Sequence, residues 1–185
     1  MSDTNTLARS LYDVGLAAWF GGSLMGAVGL NGAAAQIDDP TERARIATQG
    51  WKRWAPVNAT AIGAHLVGGA VIVVANQKRI GGQAGVASWT IAKTAVTGAA
   101  LAATAWSGVL GAKLATAEDN VHAEGATEPS WQTSPDVARA QKGLRPLQWA
   151  IPVLTGALLV MSARMGEQQR PSEVTTGVLG KLVSS

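Results

Sequence analysis

The side chains able to do chemistry are few. The 185-residue chain has 2 His and no Cys, so disulfides, thiol catalysis and thiolate metal sites are excluded outright. His65, in AIGAHLVGGA, carries the most chemical potential. It falls in an apolar run, where an ionisable group is costly and is a functional candidate by default. An imidazole at such a depth can serve as a hydrogen-bonded structural group, relay a proton, or ligate haem iron. The structural role is the expected one, proton or ligand handling ranks second and haem third. Bis-imidazole ligation needs a second His at matching depth, and His122 falls in a polar stretch. Met25 and Met161 are formal partners, but methionine is common in apolar packing.

Trp19 and Trp106 fall inside apolar runs, whereas most of the other Trp flank them. Among Gly and Ala, large rings fill the space that small residues leave, so packing is the expected role and a ligand platform the sharper one. Asp13 stands at the start of the first apolar run, where a carboxylate suits a helix N-terminus. Asn58, Thr60, Thr90, Thr94, Thr97, Thr104 and Thr155 can hydrogen-bond between helices or back to carbonyls, with no pattern that describes an ion path. Enzyme templates fail in turn. The chain holds no G-x-S-x-G, no G-x-x-x-x-G-K-[ST], no H-E-x-x-H and no pair of carboxylates within an apolar run. The expectation is a protein that is not an enzyme and holds no resident metal or cofactor.

The elements that must position these residues follow from where charge is absent. Apolar residues make up 47% of the chain and charged residues 15%, against roughly 25% charged in soluble proteins. The charges gather in a few places and leave long runs with almost none, which is the membrane signal. The expected fold class is all-α, an integral membrane bundle of four transmembrane helices with a short interfacial helix between the first two. Expected spans are 14–35, 57–75, 88–115 and 147–165, after a polar N-terminus 1–13. A loop 116–146 and a polar mobile tail 166–185 complete the domain plan. Ala33-Ala34-Ala35 offers a signal-cleavage pattern, but Asp3 and Asp13 precede the run against a lone Arg9, so an uncleaved helix is expected. The stretch DDPTERARIATQGWKRWAP predicts the interfacial helix, capped by Asp39 with Pro40 at its first position. Its Trp51, Lys52, Arg53 and Trp54 suit the headgroup region.

Small residues are the most specific feature of the spans. Gly22 and Gly26 form a G-x-x-x-G, and Ala95, Ala99, Ala103, Ser107 and Gly111 recur at four-residue spacing. Without side-chain bulk two backbones can approach closely in lipid, so these faces are expected to meet other helices. Most of that packing is expected within the bundle, and a leftover small-residue face would dock a different membrane subunit. The net charge of +3 and pI near 9.6 do not imply nucleic acid, because Lys and Arg lie along the flanks of apolar runs. The expected partners are the lipid bilayer and other membrane subunits. Counting Lys and Arg favours placing the 36–56 and 116–146 loops in the cytoplasm. Those loops are diluted by acids, however, while Lys78-Arg79 sits undiluted in a short turn, and the expectation is cytoplasmic termini.

The element W-F-G-G at Trp19 to Gly22, within L-A-A-W-F-G-G-S-L, and the hydropathy pattern across residues 11 to 165 resemble small four-helix bacterial membrane proteins of unassigned function. The resemblance implies a fold and a location in the cytoplasmic (inner) membrane and transfers no catalytic residue. The expected function is that of an accessory or assembly subunit packing against a larger membrane complex. The alternatives are a small carrier or proton- or ion-conducting protein using His65 and, last, a haem-binding electron carrier.

Overall fold

The computed structural model describes residues 3–77, 86–117 and 121–167. The turn expected around 77–85 and the tail beyond Glu167 lie outside most or all of that range. The described residues form helices and no strand, with a single bridge joining Ala123 to Pro129.

Helix α1 (Asp3–Met25) begins well ahead of the apolar run that starts at Val14. It continues through a π-helical turn, Gly26–Leu30, into the short α2 (Asn31–Ala34), and Asn31 N–H bonds Gly26 O across the wide turn. Helix α3 (Pro40–Ala75) starts where Asp39 Oδ1 accepts from Thr41 N at 2.8 Å and Glu42 N at 3.0 Å. These are two donors that a helix start leaves unpaired. The sequence predicts a separate interfacial helix before Val57, but α3 runs unbroken through Pro56 to Ala75. Proline deprives the Lys52 carbonyl of its donor, and Lys52 is exposed. On its N-terminal side the rings of Trp51 and Trp54 lie against Gly26 and Gly22 of α1, and on its C-terminal side Ala61 and His65 lie against Gly15, so α1 supports both sides of the proline. A 36-residue helix is about 54 Å long at about 1.5 Å per residue, longer than a roughly 30 Å hydrocarbon core. Helices α4 (Val86–Ala115) and α5 (Pro135–Glu167) complete the bundle. The latter starts at Pro135, ahead of the expected span from Leu147. Inside α5, Thr155 Oγ1 donates to Ile151 O at 2.8 Å and Pro152 O at 3.3 Å, adding bonds next to a proline turn.

Helix α1 lies antiparallel to α3 on one side and packs on α5 on the other, and α5 in turn packs on α4. The central core is Leu16, Trp19, Ala100, Ile151 and Leu158. A second core joins Ala44, Leu110, Leu114 and Val137 to Val121 and Ala123 of the connection before α5. That connection is folded down as a cap. Arg43 staples it, donating from Nε and Nη2 to Ile37 O and from Nη1 to Ala123 O and Glu124 O.

Large apolar side chains stand exposed on every long helix, among them Val14, Val67, Val74, Ile91, Trp106, Val153 and Val160. The four helices long and apolar enough to cross a membrane bury only 11% to 33% of their most apolar windows inside the protein. Water would penalise so much uncovered apolar surface and hydrocarbon does not. The chain has the build of a multi-pass membrane protein.

Candidate intramembrane site

His65 lies beside a close approach of α1 and α3. The approach is set by glycine: a Cβ on Gly15 would stand 2.4 Å from Ala61 O and 2.7 Å from His65 N. One on Gly68 would stand 2.4 Å from Ala8 O and 2.6 Å from Tyr12 N. The close contacts therefore fall at Ala8 and Gly15 on α1 and at Ala61 and Gly68 on α3, seven residues apart on each helix. Two turns of helix span about seven residues, so such positions share a seam. With no side chains between them, the backbones meet in van der Waals contact, the dominant helix–helix attraction in lipid.

That proximity brings an imidazole to a carbonyl on the facing helix. His65 is 2% exposed, and its Nδ1 stands 3.0 Å from Tyr12 O. A carbonyl oxygen only accepts, so Nδ1 carries the proton and donates. The Tyr12 ring lies over the imidazole, with centroids 4.1 Å apart and planes tilted by 35°. Trp19 meets it edge-on at 6.2 Å and 63°. Lys93 of α4 sets its Nζ 4.5 Å above the Tyr12 ring, a cation–π contact. Trp19, wholly buried, donates from Nε1 to Thr104 Oγ1 of α4 at 3.1 Å. Three helices thus meet around one histidine. The arrangement orients the imidazole in a single tautomer and holds α1, α3 and α4 in register.

The other sequence-predicted residues scatter. Trp106 is 56% exposed on the outer side of α4 and takes no part in the His65 cluster. Gly22 and Gly26 do face α3, but they receive the rings of Trp54 and Trp51 rather than a second backbone. Both indoles therefore sit in the α1–α3 seam, while Lys52 and Arg53 are exposed beside them. The row Ala95, Ala99, Ala103, Ser107, Gly111 is not one face. Steps of four overshoot a 3.6-residue turn by about 40° each. Ala95 and Ala99 are accordingly exposed and Ala103, Ser107 and Gly111 half-buried. The buried side of α4 is Ala100, Leu110 and Leu114.

A polar chain crosses the capped end. Trp51 Nε1 donates to Asn31 Oδ1 at 2.9 Å, Asn31 Nδ2 to Gln148 Oε1 at 2.9 Å, and Gln148 Nε2 to Thr127 Oγ1 at 3.1 Å. Thr127 passes the chain to Glu128 at 2.7 Å. Asn31, the strong polar residue of the first apolar run, was the available signal. Its use depends on the π turn, whose extra residue rotates the helix end that carries it.

Outside the apolar spans, the N–H groups of Glu42 and Thr41 hold the Asp39 carboxyl below the ordinary Asp range. Compared with protein-family models, curated proteins and solved structures, the chain matches none.

Proposed function

We propose that the protein is a non-enzymatic accessory or assembly subunit of the bacterial cytoplasmic membrane, with α4 as the helix it offers to a larger membrane complex and with cytoplasmic termini. The observation that carries this reading is the outer side of α4. Ala95, Gly98, Ala102, Ala105, Gly108 and Ala112 are all exposed there, and added Cβ atoms at Gly98 and Gly108 would meet nothing within 4 Å. Only 11% of the helix's most apolar window is buried, the lowest share of the four. Small residues along a lipid-facing side let another helix approach closely, and the exposed Ile91, Trp106 and Val109 supply larger contacts beside them.

The alternative, a small carrier or proton- or ion-conducting protein using His65, draws on the grouping of His65, Tyr12 and Lys93. A relay must pick up and release its proton, yet this imidazole is closed in by two rings and its Nδ1 is committed to a carbonyl. That favours the structural part for His65 and the accessory reading for the protein.

The test is mild-detergent purification of tagged protein from its native membrane, with the double variant Gly98→Leu/Gly108→Leu in parallel. Larger polypeptides should co-purify in fixed ratio with the wild type and be lost from the variant, which should still fold. A wild type that runs alone at its own size sinks the reading.

A further inference from the structure

We propose that the side of α1 and α3 around the π turn docks an amphipathic helix of another polypeptide, one carrying a carboxylate beside a bulky apolar side chain. The surface is separate from the outer side of α4. Its origin is a stagger between two apolar runs. Gly22 packs on Trp54 and Gly26 on Trp51, so Lys52 and Arg53 stand level with the middle of the α1 run, 14–35. The α3 run starts only at Val57, and its Ala61 and Gly68 lie against Gly15 and Ala8. The two runs therefore face each other over part of their lengths. A bilayer centred on the α3 run leaves Met25 and Val28, 60% and 58% exposed, outside the hydrocarbon, where water penalises them. One centred on the α1 run draws Lys52 and Arg53 into hydrocarbon, where cations are costly. Either placement leaves apolar surface and cations side by side at one level, a combination that neither water nor lipid tails satisfy.

Shape and charge select the partner. A crevice of about 450 Å³ runs from Arg53 towards Gly50 and Leu30, with Gly22, Gly26 and Gly29 leaving its α1 wall bare. It has room for bulky apolar side chains but not for a second backbone. Lys52 and Arg53 are exposed at its edge, and no carboxylate among the described residues pairs with either. A segment that fills the crevice with an apolar anchor and sets Asp or Glu against these cations meets both demands: the anchor supplies affinity and the charges supply register. A helix is the form that keeps its own backbone satisfied at this level. A second copy of the chain docked about a two-fold axis here would set Lys52 and Arg53 against their own counterparts, and like charges across a contact repel. The occupant is therefore a different, acid-bearing polypeptide.

The test is cross-linking of the full chain in its native membrane with a membrane-permeant carbodiimide, which joins a lysine amine to a touching carboxylate as an amide while the carboxylate oxygen leaves on the urea. Wild type should give one adduct through Lys52 to an Asp or Glu of a different polypeptide, mapped by sequencing the joined peptides. Lys52→Arg keeps the charge without the amine and should abolish that adduct. Arg53→Glu should lower its yield about tenfold or more, because it turns attraction into repulsion. Gly29→Leu should lose it as well, since the new side chain enters the crevice and meets only Met25, whose Sδ lies 3.3 Å from the added Cβ. Gly21→Leu, whose Cβ meets nothing within 4 Å, controls for added bulk and should cross-link as wild type. No adduct through Lys52 overturns the proposal, as does an adduct to a second copy of the chain or one that survives Gly29→Leu unchanged. The accessory reading is judged separately, by co-purification through α4, so the two can fail independently.

Discussion

Replacing Gly68 by Ala adds one methyl group where the α1 and α3 backbones touch. The new Cβ would stand 2.4 Å from Ala8 O, where ordinary contact begins at 3.4 Å, so α1 and α3 must part by about 1 Å (3.4 less 2.4). The neighbours are backbone atoms, the Ala8 carbonyl and the Tyr12 N and Cα, and no side chain can turn away to absorb the shift. The His65 Nδ1 to Tyr12 O bond, now 3.0 Å, would stretch past hydrogen-bonding range. Overpacking costs about 1–3 kcal/mol, and an interhelical bond in lipid contributes about 0.6–1.7 kcal/mol. Against these, Ala is a better helix former than Gly by about 1 kcal/mol. The net loss should be roughly 1–3 kcal/mol. It can be read from reversible unfolding in mixed micelles titrated with dodecyl sulfate, followed by circular dichroism. Gly63→Ala is the internal control, on the same helix but with nothing within 4 Å of its added Cβ. It should be neutral or stabilise by up to about 1 kcal/mol. If Gly68→Ala unfolds with Gly63→Ala, the glycine-set approach of α1 to α3 is wrong.

Thr104→Val removes the acceptor of the buried Trp19 N–H at nearly constant volume, and should cost about 0.6–1.7 kcal/mol in the same assay, with a shift in Trp emission. Asn31→Leu orphans both Trp51 Nε1 and Gln148 Oε1 and should cost more, about 2–6 kcal/mol at about 1–3 per unmet group. It should also speed hydrogen exchange in the 121–134 cap, which Gln148 holds through Thr127. The Asp39 carboxyl is held below its ordinary range by two helix N–H groups, so its contribution is complete above the unfolded value of about 3.9 and fades as pH falls through the lower folded value. The unfolding midpoint should hold steady down to about pH 5 and then fall, and Asp39→Asn, which keeps an N-cap acceptor, should flatten that decline.

The four apolar runs were legible because charge is absent from them. Their ends were less so, since hydropathy marks where lipid begins and helices go further. The helix from Asp3 and the start at Pro135 both extend past the apolar runs, and Pro56 reads as a boundary that the bound indoles of Trp51 and Trp54 override. A spacing of four picks out Gly22 and Gly26, but the backbone contacts recur at seven, through Ala8, Gly15, Ala61 and Gly68. On α4 the same four-residue rule traced a row that winds around the helix. His65 stood out in sequence because an ionisable group among apolar residues is conspicuous. Its partner could not be read, because the acceptor is a backbone carbonyl on another helix. Arg43 sits in the charged stretch ahead of the second apolar run, and its grip on Ile37 and the cap is a tertiary fact with no local signature.

The most direct measurement is photocrosslinking in the native membrane from single probe residues. Probes at Gly98 and Ala102, on the exposed small-residue side of α4, are compared with probes at Val153 and Val160, exposed on α5. The account predicts one discrete adduct with a different membrane polypeptide from both α4 positions and only lipid adducts from α5. Lipid adducts alone from all four positions would contradict it.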